Sequence, residues 1–406
     1  MIKRKLYLSR ICPFLEKPFV KVVTGMRRVG KSTLLLQIRE ELLEQGIPPE
    51  NILMINKDLL QWDHIRTYSD LNTEVKKRFQ DTRGKRWIII DEVQEIEGWE
   101  RGVNSFLAEG IGDIIITGSN ARLLSSELST RLTGRYVEIP IYPLGFAEFL
   151  DFLDVADSPI DKREAFDLFL RYGGLPGIHV LDMKDEQVVP YLEAILNTLL
   201  LKDVVKRHNI RDVGHLERIL SFIFDNCGKL TSARNIASFF KNQNITITPD
   251  TVIAYLGYLE EAFLIHRVGR YGIKGKKHLE YLDKYYICDP GLRHGIMGPR
   301  DAEIGGLLEN IVYLELRRRG YTVRVGVLDE GEIDFVAERR DERLYLQVTY
   351  LLAEESTVEK EFGSLEQIRD NYPKFVFSLD EHFPGDRRGI RHLHIRDFLL
   401  SEYFMD

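Results

Sequence analysis

A chain of 406 residues, 44% hydrophobic and 29% charged, has the make-up of a soluble globular protein of two to four domains. Its formal net charge of −7 excludes a uniformly basic nucleic-acid binder, so any nucleic-acid surface must be local. Three widely spaced cysteines, Cys12, Cys227 and Cys288, form no disulfide framework or paired metal motif, and no run reaches the about eighteen apolar residues of a membrane span.

The N-terminus "MIKRKLYLSRICPF" is basic but lacks the apolar stretch of a signal peptide. A cytoplasmic protein without membrane association is expected. From Phe19 to about Leu144, "FVKVVTG", "NILMINKD", "RWIIIDE", "DIIITGS" and "YVEIPIYPL" read as five strands, rich in Ile and Val and bounded by turn residues. Their apolar runs are continuous rather than alternating, which fits a parallel sheet covered on both faces. Residues 1–144 therefore read as an α/β domain.

Between the first strand and "LLLQIREELLEQG" lies "TGMRRVGKST", with Gly25-x-x-x-x-Gly30-Lys31-Ser32. A strand–loop–helix setting is what a phosphate-binding loop requires. Glycines let successive N–H groups converge on phosphate oxygens, and the helix N-terminus adds partial positive charge. Nucleotide contacts are expected from Gly25, Arg28, Val29, Gly30, Lys31, Ser32 and Thr33. Lys31 would reach the β and γ phosphates of ATP, and Ser32 would ligate Mg2+. Arg27, like Arg28, could touch phosphate or a partner, with loop surface as the plainer reading of both.

The strand "RWIIIDEVQ" ends in Asp91-Glu92. Asp91 is placed to hold Mg2+ through water, and Glu92 to orient and deprotonate the attacking water. At the end of "IIITGSNARLL", Thr117, Ser119 or Asn120 would sense the γ-phosphate or position the water, against the alternative of a polar turn with a helix cap. In "STRLTGRYVEI", Arg135 and, less favoured, Arg131 are candidates to neutralise transition-state charge, in cis or from a second copy in a homo-oligomer.

Residues 145–210 carry helical signals and read as a lid or linker. Residues 211–290 read as a winged helix: three helical runs precede a hairpin. Thr248 is a plausible N-cap before Pro249, and Val252, Leu256, Leu259 and Phe263 recur on one helical face. The hairpin carries Arg267, Arg270, Lys274, Lys276 and Lys277, a basic wing able to meet DNA phosphates. Glu260 and Glu261 argue instead for a protein partner. "DPGLRHGIMGPRD" reads as a linker, after which residues 300–406 form a last α/β unit.

That unit runs helix–strand–strand–strand–helix–strand, with "SLEQIRDNY" as its second helix, the order of restriction-endonuclease-like domains. Glu309 and Asp334 stand where such nucleases keep acids. Gln347 and Thr349 stand where an acid-x-Lys is expected. Phosphodiester cleavage needs clustered carboxylates for magnesium and a lysine to assist, so the unit reads as a degenerate nuclease.

"GMRRVGKST", "IIIDEVQ", "ITGSNARLLSSELSTRLTGRY", "PLGFAEFL", "RYGGLPG", "LLLKDVVKRHNI", "KYYICDPGLR", "LLENIVYLELRRRGY" and "EIDFV" follow one another along nearly the whole chain. In these the protein resembles a broad prokaryotic family of AAA+-superfamily ATPases with a C-terminal domain of unknown function. The resemblance implies an ASCE-type P-loop ATPase core, a winged helix and a nuclease-like end. It also implies nucleotide-site roles for Gly30, Lys31, Ser32, Asp91 and Glu92. The expected function is ATP binding and hydrolysis that controls a nucleic-acid-associated complex. The alternatives are a signalling or remodelling ATPase that binds only protein, and an ATP-regulated metal-dependent nuclease.

Overall fold

The computed structural model describes residues 2–120, 132, 134–155, 160–275, 277–298, 304–381 and 386–401. Two compact units emerge, Met1–Tyr142 with Glu261–Phe263, and Pro143–Glu260 with Leu264–Asp406.

The first unit is built on five parallel strands: β1 (Val20–Thr24), β2 (Ile52–Asn56), β3 (Trp87–Asp91), β4 (Asp113–Gly118) and β5 (Tyr136–Pro140). Their order is β2-β3-β4-β1-β5, so β1, which feeds the phosphate loop, lies between β4 and β5. Val20, Val22, Ile88, Ile90, Ile114 and Ile116 form a core with Leu71, Val75, Val103 and Phe106 of helices α3 (Tyr68–Phe79) and α4 (Trp99–Glu109). The intervening Val23, Ile89 and Ile115 are buried as well. Both faces are thus covered, which is why the apolar runs do not alternate. Helix α1 (Lys5–Ile11) buries Tyr7 and Ile11, and α2 (Lys31–Glu44) buries Leu34, Leu35, Ile38 and Leu42. Each such large side chain contributes about 1.5–3 kcal/mol on burial.

The second unit begins with α5 (Phe146–Val155), α6 (Lys162–Tyr172) and α7 (Asp185–Thr198), the last prolonged by a π-helical segment, Leu199–Val205. The three helices expected after residue 211 are α8 (Val213–Asp225), α9 (Ala233–Lys241) and α10 (Pro249–Glu261). Thr248 caps α10 by accepting the Thr251 N–H at 3.2 Å. Val252, Leu256 and Leu259 are buried as the periodicity requires. Phe263 lies beyond the helix end with a φ of 57°.

The hairpin that follows, β6 (Ile265–Gly272) and β7 (Lys277–Ile287), does not stand apart. It is one edge of a seven-stranded sheet with β8 (Thr322–Val327), β9 (Glu332–Arg339), β10 (Glu342–Val348), β11 (Lys374–Ser378) and β12 (Ile390–His394), in the order β12-β11-β10-β9-β8-β6-β7. Parallel pairing of β6 with β8 carries the sheet across the expected boundary near residues 290–300.

"DPGLRHGIM", read as linker, is helix α11 (Pro290–Met297). Asp289 caps it. One carboxylate oxygen accepts the Gly291 N–H at 2.9 Å, and the other accepts the Gly174 N–H at 2.7 Å. Any Cβ on Gly173 would fall 1.9 Å from Asp289 Oδ1, so "RYGGLPG" and "DPGLR" are two halves of one knot. Helix α12 (Ile304–Arg318) follows. The helix placed by sequence on "SLEQIRDNY" instead spans Glu355–Glu366 as α13, with Phe362 and Leu365 buried. Beyond its end, Asp370 accepts from the Tyr345 hydroxyl and the Tyr372 N–H.

Candidate nucleotide site

The loop after β1 is shaped by backbone positions that most residues avoid. Gly25 has a φ of +141°, and a Cβ there would meet the Ile141 carbonyl oxygen at 2.3 Å. Arg28 and Gly30 have φ of 69° and 97°, and Gly30 leads directly into α2. Lys31, the first residue of that helix, is buried, and its ammonium donates to the carbonyls of Gly25 and Met26 at 2.9 and 3.0 Å. Val29 is buried, while Arg28 and Thr33 are exposed.

Facing the loop, β3 delivers two buried carboxylates. The Thr117 hydroxyl on β4 donates to Asp91 Oδ1 at 2.5 Å and accepts the Glu92 N–H at 2.9 Å. Asp91 Oδ2 is buried without a hydrogen-bond partner. Burial raises the Asp91 pKa, with hydrogen bonds from Ser32 and Thr117 opposing it. Asp91 with an unpartnered, desolvated oxygen, and the Ser32 hydroxyl that interacts with the same carboxylate, form a donor set suited to Mg2+, which takes one or two protein ligands and completes its shell with phosphate and water.

Glu92 adopts a left-handed φ of 54°, which turns its side chain off the strand into a polar cluster. Its Oε2 accepts from Gln94 and from the Ser119 hydroxyl, the latter at 3.2 Å. The Lys31 ammonium is 3.8 Å from Oε1, and the Arg27 guanidinium is 3.9 Å from Oε2. Burial alone would raise its pKa, but the charges of Lys31 and Arg27 outweigh that and hold Glu92 below the usual carboxylate range.

The structure thus brings together Gly25, Gly30, Lys31, Ser32, Asp91, Glu92 and Ser119. Arg27, read from sequence as loop surface, is the loop arginine that approaches Glu92, while Arg28 points to solvent. Arg135 is exposed at the start of β5, its backbone bonded to Val20 and Leu132, outside the hydrogen-bonded cluster. Arg131 lies outside the described residues.

Sequence reasoning missed two contributors. Gln94 was invisible because a glutamine two residues past an acid has no distinctive pattern. Arg4 is only 4% exposed and donates to the Val29 carbonyl at 2.9 Å and the Tyr142 carbonyl at 3.0 Å. It ties the N-terminal segment to the phosphate loop. The basic run "MIKRK" was the available signal.

In the second unit, Glu309 on α12 and Asp334 on β9 do meet, and the residue between them is Lys284 of β7. Its ammonium lies 3.1 Å from Glu309, 3.0 Å from Asp334 and 3.0 Å from Glu332. Gln347 turns away: its carbonyl oxygen accepts the Asp334 N–H at 2.7 Å. Thr349 lies just past β10, half-buried, its N–H bonded to the Phe377 carbonyl. Among the described residues no group of three or more His, Cys, Asp or Glu side chains is arranged to hold a metal ion.

No helix among the described residues is long and apolar enough to cross a membrane. Of the basic wing, Arg267 pairs with Asp283 at 2.7 Å, and Lys274 pairs with Asp329. Lys276 and the Lys277 side chain lie outside the described residues.

Comparison with known proteins agrees with this geometry. A family model described as an AAA domain matches residues 17–150, and one described as a domain of unknown function (DUF8612) matches residues 163–303. An uncharacterized protein of Haemophilus influenzae is 37% identical over 401 residues, covering 99% of both chains. The uncharacterized protein MJ1544 of Methanocaldococcus jannaschii is 29% identical, over 86% of this chain and 78% of its own. Among solved structures, the Walker-type ATPase PABY2304 of Pyrococcus abyssi shares the fold with a TM-score of 0.52 at 16% identity, over 73% of this chain and 96% of that one. The chain therefore belongs to the same family as the Haemophilus influenzae protein, and its residues 17–150 form an AAA domain with a P-loop ATPase fold.

Proposed function

We propose that this protein binds and hydrolyses ATP at the loop between β1 and α2, and uses its nucleotide state to act on a macromolecular partner. The observation that carries the reading is the juxtaposition of a buried Lys31, held by loop carbonyls, with Asp91 and Glu92 at the end of β3.

The residues divide the work as follows. Incoming phosphate oxygens replace the Gly25 and Met26 carbonyls as acceptors for Lys31, whose charge then falls on the β and γ phosphates. Ser32 and Asp91 would hold Mg2+, which supplies neutralisation of developing phosphate charge. Glu92, kept ionised by Lys31 and Arg27, accepts a hydrogen bond from water and aims it at the γ-phosphorus. Its low basicity favours orientation over early proton removal. Ser119 and Gln94 fix the carboxylate that does the aiming.

Lys31→Ala is expected to abolish both nucleotide binding and turnover. Glu92→Gln is expected to abolish turnover while ATP binding persists, as read by equilibrium binding of a fluorescent ATP analogue alongside phosphate release. Undiminished hydrolysis in either variant would sink the assignment.

Two partner classes follow from the second unit. A DNA partner would use the α9–α10 pair and the β6–β7 hairpin. One observation favours a protein partner instead: Arg267 and Lys274 already face carboxylates of their own unit. The Lys274 pair is exposed and weak, so phosphate could displace it, and salt-sensitive DNA binding would restore the nucleic-acid reading.

A further inference from the structure

We propose that the ammonium of Lys284 is the resident cation of the carboxylate cleft in the second unit, standing where a divalent metal would sit and making the cleft metal-independent. The inference concerns this cleft alone and holds whether or not the first unit hydrolyses ATP.

The geometry is that of an occupied cation position. Lys284 is 2% exposed, and its Nζ has three carboxylate oxygens at 3.0–3.1 Å, from Glu309, Glu332 and Asp334. The ammonium donates hydrogen bonds to Glu309 and Asp334, and Glu332 completes the set as an ion-pair partner. The three acids come from α12 and β9 and the cation from β7, so no local sequence pattern would assemble them.

Two of the three acids are also engaged by other donors. Asp334 Oδ2 accepts the Val348 N–H at 2.9 Å. Glu309 Oε2 also accepts the Tyr286 hydroxyl at 2.9 Å. Gln347 is braced against the β9 backbone, its oxygen on the Asp334 N–H and its amide directed at the Glu332 carbonyl. A magnesium ion needs oxygens at about 2.0–2.1 Å in a near-octahedral shell. Oxygens gathered around an ammonium at 3 Å would have to collapse inward while expelling a lysine whose strand holds it in place.

Charge balance points the same way. Burial and the neighbouring Asp334 push Glu309 up to about 8, with Lys284 opposing the shift. Of the three acids around Lys284, Glu332 is one-third exposed and shared with water. A Glu309 that holds its proton more readily is a poorer ligand for a dication. The surrounding cleft, about 810 Å³ and lined also by Lys229, Lys360 and Glu361, is open to solvent. The exclusion is therefore chemical and not a matter of access.

The test is a Mn2+ titration of the nucleotide-free full-length protein, followed by electron paramagnetic resonance. Wild type is compared with Asp334→Asn, Lys284→Met and the double variant. We expect no wild-type site that disappears in Asp334→Asn at millimolar Mn2+. Lys284→Met should gain one Mn2+ site, lost again in the double variant. A wild-type site lost in Asp334→Asn would overturn the proposal, as would a folded Lys284→Met that gains none. Should Lys284→Met fail to fold, the wild-type and Asp334→Asn comparison still decides it.

Discussion

At Gly25 the backbone sits at +141° with the Ile141 carbonyl oxygen 2.3 Å from where a Cβ would be. Gly25→Ala therefore meets both a conformational cost of about 1–3 kcal/mol and a clash with backbone that cannot rotate away. The expected result is loss of nucleotide binding with a lowered melting temperature, read by thermal shift with and without ATP. Asp289 makes a different point. Burial pushes its carboxyl up to about 7 in the folded chain, against about 4 when unfolded. Between those values the folded state keeps a proton that the unfolded state releases, so stability falls as pH rises from about 4 to 7 and then levels off. Asp289→Asn loses one of the two N–H acceptors at every pH but cannot ionise, so its deficit against wild type should shrink as pH rises through that window, as measured by urea denaturation at successive pH values. Residues such as Gly30, Lys31 and Asp91 were legible in the sequence because the phosphate loop and the acid-tipped strand are contiguous patterns. Lys284 was not, because its acids arrive 25 and 50 residues later and only the fold brings them together.

At the scale of elements, the five strands of the first sheet were legible because each is a short apolar run stopped by turn residues. Several helices of the second unit were legible, and Thr248 caps α10 as read, but the helix read on "SLEQIRDNY" lies about nine residues earlier. What escaped were elements set by tertiary contact. Helix α11 forms because Asp289 has Gly174 to hold as well as Gly291, and β12 forms because β11 offers a parallel edge. Helix α1 is a further case. Arg4, just before it, spends charged donors on the Val29 and Tyr142 carbonyls, and the Tyr142 N–H donates to the Tyr7 hydroxyl at 3.1 Å. Charged hydrogen bonds of this kind are worth about 1.5–3 kcal/mol each. Arg4→Ala is therefore expected to weaken ATP binding by about tenfold or more, raising KM well beyond its effect on kcat, with Arg4→Lys recovering part of the loss. An unchanged KM would remove Arg4 from the loop's support.

For the molecule as a whole, a net charge of −7 and neutralised wing residues set the expectation for partners. Single- or double-stranded DNA should change the ATPase rate only slightly at about 0.15 M salt, where the Debye length is about 8 Å. A rate increase that falls steeply with added salt would instead place a phosphate backbone on the protein. Such measurements belong on the full chain. The Haemophilus influenzae relative matches over 99% of both sequences, so the phosphate loop and the seven-stranded sheet occur together in one polypeptide.

The pairing of β6 with β8 has a consequence for how the chain is made. The β6–β7 hairpin leaves the ribosome before β8 exists, and at about 5–20 residues per second its partner follows only after several seconds. During that interval the β6 edge, carrying Ile265, Val268 and Tyr271, is an unpaired template for other nascent chains. The charges interleaved along it, Arg267 and Arg270, are of the kind that blunt such edges. Neutralising them should lower the soluble yield of newly synthesised protein more than it lowers the stability of protein already folded.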